Sequence, residues 1–217
     1  MNLTTNAELL TAYAAGEISP GLALLCETYL AVDDRDQGFV SMAESVAGAA
    51  LRDAPQPCAA AMDRNALFAR LDEPDETDRG RHAAAAPALA SAEALASPAR
   101  LGERSIPWRF RMPGLSEHVL DGFGAEKVSL MRARPGSRLP QHTHRGFEAT
   151  LVLAGAMKDE DRVLQRGDIA LCGQEHDHHP EIIGDETCYC LVVVDGGLRF
   201  TGALGRAFNL FADRRRS

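Results

Sequence analysis

The stretch GSRLPQHTHRGFEATLVLAG, residues 136–155, decides how the second half of this chain is read. It runs Gly136, five residues, His142, one residue, His144, three residues, Glu148, six residues, Gly155. In a strand the side chains alternate, so His142 and His144 share a face. A turn through Arg145 and Gly146 returns Glu148 toward that face on the next strand. Two imidazoles and a carboxylate converging in this way outline a divalent-metal site. The fourth ligand is expected from GDIALCGQEHDHHP, residues 167–180, which offers His176, His178 and His179. His176 and His178 share one strand face, while His179 points the other way and precedes Pro180, where a strand is leaving its extended path.

The same stretch is similar to the first cupin motif at every fixed position, both glycines included. The second cupin motif is looser. Gly167 fits its opening turn, but Gly173-Gln174-Glu175 stands where Pro-x-Gly is usual. His178 falls eleven residues after Gly167, where that motif carries its histidine. The pattern GDI, QE and H-x-P resembles the cupin half of ChrR-type anti-sigma factors. The resemblance implies a small β-barrel with one divalent metal on His142, His144, Glu148 and His178. Three imidazoles and a carboxylate suit Zn, with Ni, Mn or Fe(II) as alternatives that ligand type does not separate.

Composition bounds the rest. The chain has 217 residues, 45% hydrophobic and 25% charged, as in soluble globular proteins. No apolar run approaches the roughly 18 residues that span a bilayer. The start, MNLTTNAELL, lacks the basic and apolar regions of an export signal. The five cysteines are an odd number with no C-x-x-C pair, which fits a reducing cytoplasm. Cys188 and Cys190 read as small buried hydrophobes on one strand face. Residues 1–75 hold twelve Asp or Glu against four Arg and no Lys, so the whole net charge of −8 lies there. Such a segment is repelled by nucleic-acid phosphates and steered toward basic protein surfaces.

Along the chain, helices are expected at residues 5–15, capped by Thr5 or Asn6 and ended by Gly16, and after Ser19-Pro20 through GLALLCETYLAV. A third is expected over 36–51, where Phe39, Met42, Val46 and Ala50 recur at three and four, and a fourth at about 63–71. The Ala/Pro-rich composition from 76 to 104 suggests a linker. Beyond it, period-two segments around residues 108–110, 128–131, 150–153, 169–171 and 189–194 read as strands. The fold class is thus an all-α N-terminal helical bundle (1–75) plus an all-β C-terminal cupin, a jelly-roll β-barrel (105–199). A tail, 200–217, follows with a short helix.

This order of modules resembles the ChrR-type zinc anti-sigma factors from end to end. LLTAYAAGEIS (9–19) and ALLCETYLAVDDRD (23–36) are similar to their first two helices. The resemblance implies that the N-terminal helices bind a group IV (extracytoplasmic-function) sigma factor and keep it from core RNA polymerase, while the cupin senses stress or a small-molecule ligand in its pocket. It implies no direct nucleic-acid contact, no membrane partner and no catalysis. The alternative is a dioxygenase-like metal-dependent cupin enzyme acting on a small molecule, with Arg138 and Arg145 near the ligands. One departure stands out. Family members carry His-x3-Cys-x2-Cys where this chain has Tyr29, Asp33 and Asp36, and their upstream histidine falls near Thr4. No metal is therefore expected in residues 1–75: zinc needs thiolate, imidazole or carboxylate ligands, two Asp with a Tyr make a poor set, and Cys26 sits on an earlier turn as a core residue.

Overall fold

The computed structural model describes residues 4–53, 91–97, 101 and 106–202. Three helices open the chain: α1 (Asn6–Ala14), α2 (Pro20–Val32) and α3 (Gln37–Asp53). Their starts follow from local chemistry. Thr5 and Glu8 form a reciprocal capping box at α1, and the Ser19 hydroxyl accepts from the Leu22 amide at α2 with Pro20 at the first helical position. The expected helix at 63–71, most of the stretch 76–104 and the expected helix in the tail lie outside the described residues. Within the Ala/Pro-rich stretch a short helix, α4 (Ala92–Leu95), packs against α2. Leu95 and the following Leu101 are fully buried, so this part of the stretch belongs to the core.

Eleven strands follow among the described residues. They are β1 (Arg109–Met112), β2 (Leu115–Leu120), β3 (Lys127–Ala133), β4 (His142–His144), β5 (Phe147–Ala154) and β6 (Ala156–Asp159), then β7 (Arg162–Gln165), β8 (Ile169–Cys172), β9 (Glu181–Ile183), β10 (Cys188–Asp195) and β11 (Leu198–Phe200). A six-stranded sheet runs β1-β2-β3-β10-β5-β8, facing a three-stranded sheet β7-β6-β9 and a two-stranded sheet β11-β4. Every described pairing is antiparallel. This is the expected cupin-like β architecture behind N-terminal helices.

The large sheet is covered on both faces, which explains why β5 and β10 are apolar runs rather than alternating ones. Val128, Leu130, Ala149, Leu151, Leu153, Leu191 and Val193 join one core with Leu9, Leu10, Leu22, Leu25 and Tyr29 of the helices. The alternate residues, among them Val152, Cys190, Val192 and Val194, join Met157, Leu164 and Ile182 inside the barrel. Each leucine so buried contributes about 1.5–3 kcal/mol, so helices and barrel stabilise one another.

The seating is close. Gly21 lets α2 approach the sheet: a Cβ there would lie 2.8 Å from Val128 Cγ2 and 2.7 Å from Glu126 Oε2. Glu126 closes the N-terminus of α2, accepting from the Ser19 hydroxyl at 2.5 Å and the Gly21 amide at 3.1 Å. A carboxylate in that place is favoured by the unpaired amides and the helix dipole. Arg166 donates to Leu153 O within the sheet and to Ala96 O at 2.9 Å, tying down α4.

α1 and α2 spend their apolar stripes on this core. α3 does so only at its start, through Phe39 and Val40; beyond them Met42, Val46 and Leu51 are 59%, 65% and 74% exposed.

Candidate metal centre

The site lies on the inner face of the barrel. His142 and His144 sit at the two ends of β4, both buried, with Thr143 between them turned outward to donate to Gln174 O at 2.7 Å. Glu148 stands on β5, the next strand of the chain, and that strand belongs to a different sheet. β4 pairs with β11, while β5 lies in the large sheet between β10 and β8. The turn at Arg145-Gly146 carries the chain from one sheet to the other, so Glu148 enters from the opposite wall.

His178 reaches the site because its segment folds back on β4. The amides and carbonyls of His142 and His178 exchange two hydrogen bonds of 3.0 Å. Of the three candidate histidines in this segment, His178 is the buried one. His176 is exposed, and its Nδ1 accepts from the Gly173 amide at 3.0 Å; His179 is exposed as well.

The ligating nitrogens of His142, His144 and His178 all lie within 4.8 Å of one another, and the three residues are 2–3% exposed. Their hydrogen bonds assign the free lone pairs. His142 Nδ1 lies 2.8 Å from Pro140 O, and His178 Nδ1 lies 2.8 Å from Asp159 Oδ2. Both partners are acceptors, so both Nδ1 atoms carry the proton and both Nε2 lone pairs face inward. His144 Nε2 lies 3.0 Å from His178 Nε2. Two ring nitrogens at that distance need a proton or a cation between them.

Glu148 stands beside His144 rather than inside the cluster. Its Oε2 is 3.6 Å from His144 Nδ1, and its Oε1 accepts from the Thr150 hydroxyl at 3.0 Å. His144 Nδ1 and Asp159 Oδ1 are buried with no hydrogen-bond partner among the described residues. Burial drives His144 down to about 3, with His142 and His178 adding to it, and burial raises the Glu148 carboxyl. Burial also opposes the charged form of His178, but Asp159 and Cys172 outweigh it and lift it to about 10. Two imidazoles held neutral, a third that shares a proton with His144, a buried carboxylate and orphaned polar atoms are groups a cation satisfies.

Asp159 was not picked out from sequence. Cys172 Sγ lies 3.9 Å from His178 Nδ1, and Asp159, Cys172 and His178 form a second group of close ligating atoms. Alternation from the buried Met157 would have turned Asp159 inward. Arg138 is paired with Glu181 at 2.9 Å, and Arg145 is exposed. Cys188 and Cys190 are buried free thiols with sulfurs 3.7 Å apart, as expected of small core residues.

Residues 99–196 match the family model of the ChrR cupin-like domain. The anti-sigma-E factor ChrR of Cereibacter sphaeroides is 30% identical over 209 residues, covering 94% of each chain. The chain belongs to the ChrR family. The crystal structure of Rhodobacter sphaeroides SigE in complex with the anti-sigma ChrR extends the match to three dimensions, with a TM-score of 0.68 at 29% identity. It covers 89% of this chain and 99% of that one, so the ChrR likeness spans helices and barrel alike.

Proposed function

We propose that this chain is an anti-sigma factor that holds a group IV sigma factor through its N-terminal helices and carries one divalent metal in its cupin half. The observation that carries the reading is the match across nearly the whole length of a ChrR chain in complex with a sigma factor. The acidic N-terminal third suits a basic partner. With α1 and α2 seated on the barrel, the exposed stripe of α3 is the apolar surface they leave for that partner.

In the cupin half, His142, His144 and His178 would hold the metal, with Glu148 closing the set from the opposite wall. Zinc suits these ligands and a four-coordinate enclosed site. When bound, the ion would supply a positive charge shared by β4, the segment that carries His178 and β5 of the large sheet. Pro140 fixes the ring of His142, and the fold-back of residues 174–180 excludes water. Among the described residues no helix is long and apolar enough to cross a membrane.

The test is transcription in vitro from a promoter served by a group IV sigma factor of the same genome. Added full-length protein should silence it at near-stoichiometric ratios and leave the housekeeping sigma unaffected. Undiminished transcription with every such sigma factor would refute the reading.

A further inference from the structure

We propose that Asp159 is the positioning residue of the metal centre, fixing the ring and tautomer of His178. The inference rests on the reading of the histidine cluster as a metal site and adds a residue to it. The three imidazoles are held in different ways. His142 leans on a backbone carbonyl, Pro140 O. His144 Nδ1 makes no hydrogen bond among the described residues, with Glu148 3.6 Å away. His178 alone of the three leans on a side chain that mutation can remove. Asp159 Oδ2 accepts from its Nδ1 at 2.8 Å, while Cys172 Sγ is a longer contact at 3.9 Å.

Several features mark Asp159 as built for this contact. It closes β6 at a two-residue hairpin turn, opposite Arg162, with Glu160 at φ 52 at the tip. Its side chain is 12% exposed, so the carboxylate is turned into the barrel rather than toward solvent. Among the described residues His178 is its hydrogen-bond partner, and its other oxygen is buried and makes no hydrogen bond there. A carboxylate behind a ligating imidazole selects the Nδ1–H tautomer, aims Nε2 and makes that nitrogen more basic; losing such a partner costs about ten- to a hundredfold in metal affinity.

The experiment is a Zn2+ titration of the full-length protein against a chromophoric chelator, for the wild type, D159N and C172S. D159N keeps the shape of the side chain. It should still bind one Zn2+, about ten- to a hundredfold more weakly, while the metal-free protein keeps a cooperative unfolding transition at a lower midpoint, since the buried His178–Asp159 pair is lost. C172S should weaken binding less than D159N does, its contact with the ring being the longer one. Nitrogen-15 NMR of the loaded proteins adds a readout that a purely structural role would not move: the strongly deshielded Nδ1 proton of His178 should shift upfield in D159N. Wild-type affinity in D159N, or a greater weakening in C172S, would overturn the assignment. A wild-type protein that takes up no Zn2+ would defeat the metal reading itself and this inference with it, and the wild-type arm shows that outcome separately.

Discussion

The Tyr29 hydroxyl donates to the Asp36 carboxylate at 2.5 Å, joining the last turn of α2 to the start of α3. Both positions align with zinc-ligand positions in the zinc anti-sigma factors this chain resembles. A neutral donor and a carboxylate thus span the joint, backed by Gln37 donating to Leu30 O at 3.2 Å and by the Arg35–Asp33 pair. Burial pushes the Tyr29 phenol up and Asp36 pushes it further, so it stays a donor. A raised folded value means this contribution is present below the ordinary tyrosine range, near 10, and is lost as pH rises above it. Y29F should lower stability by about 0.5–1.5 kcal/mol, measured by denaturant unfolding. Chelation should leave the helical circular dichroism intact; a large loss of helix on chelation would contradict this account of the joint.

Metal uptake should depend on the buried histidines alone. H142A, H144A and H178A should each take Zn2+ from one per chain to near zero in elemental analysis, whereas H176A and H179A should retain it. The exposed pair losing the metal while the buried trio keeps it would reverse the assignment.

The pair His144–His178 sets a pH dependence. His144 is lowered to about 3, so its contribution to stability is full above its ordinary value near 6.5 and is lost as pH falls toward 3. His178 is raised to about 10, so its contribution is full below 6.5 and is lost as pH rises toward 10. At neutral pH the two hold one proton between their Nε2 atoms. Zn2+ must displace it, so affinity should rise about tenfold between pH 7 and pH 8. Calorimetry in buffers of different ionisation enthalpy should count about one proton released. A flat pH response would show that the pair does not share that proton.

The contact between helices and barrel should be sensitive at Gly21. G21A places a methyl group against Val128, Val193 and Glu126. It should cost about 1–3 kcal/mol in thermal unfolding, as overpacking does. An unchanged or raised melting temperature would mean that α2 is not seated on the sheet as described.

The α3 stripe supplies a test of partner binding without a fold defect. M42D combined with V46D alters two exposed side chains and should leave the melting temperature close to that of the parent. Sigma-factor affinity should drop at least tenfold by biosensor titration. Unaltered affinity would place the contact on another face.

Much of this molecule was legible in its sequence because the signals are local. Short strand-like segments marked β1, β3, β5, β8 and β10, helical spacing and Ser19-Pro20 marked the first three helices, and motif spacing brought out His142, His144 and His178. What the motif did not show is why His178 and not His176 is turned inward: the two-way bridge to His142 is a pairing across 36 residues. Asp159 carried no motif, since its role depends on where the β6–β7 hairpin lands relative to His178. The seating of α2 was equally hidden, because the apolar stripe of a helix does not say which surface it meets. Glu126, which caps α2 from 105 residues away, is invisible to any window.

The most direct test of the account is the native mass of the full-length protein co-expressed with a group IV sigma factor of its genome. The account predicts a single species of one chain, one sigma factor and one metal ion. A chain that emerges without sigma, or a complex carrying two metal ions, would contradict it.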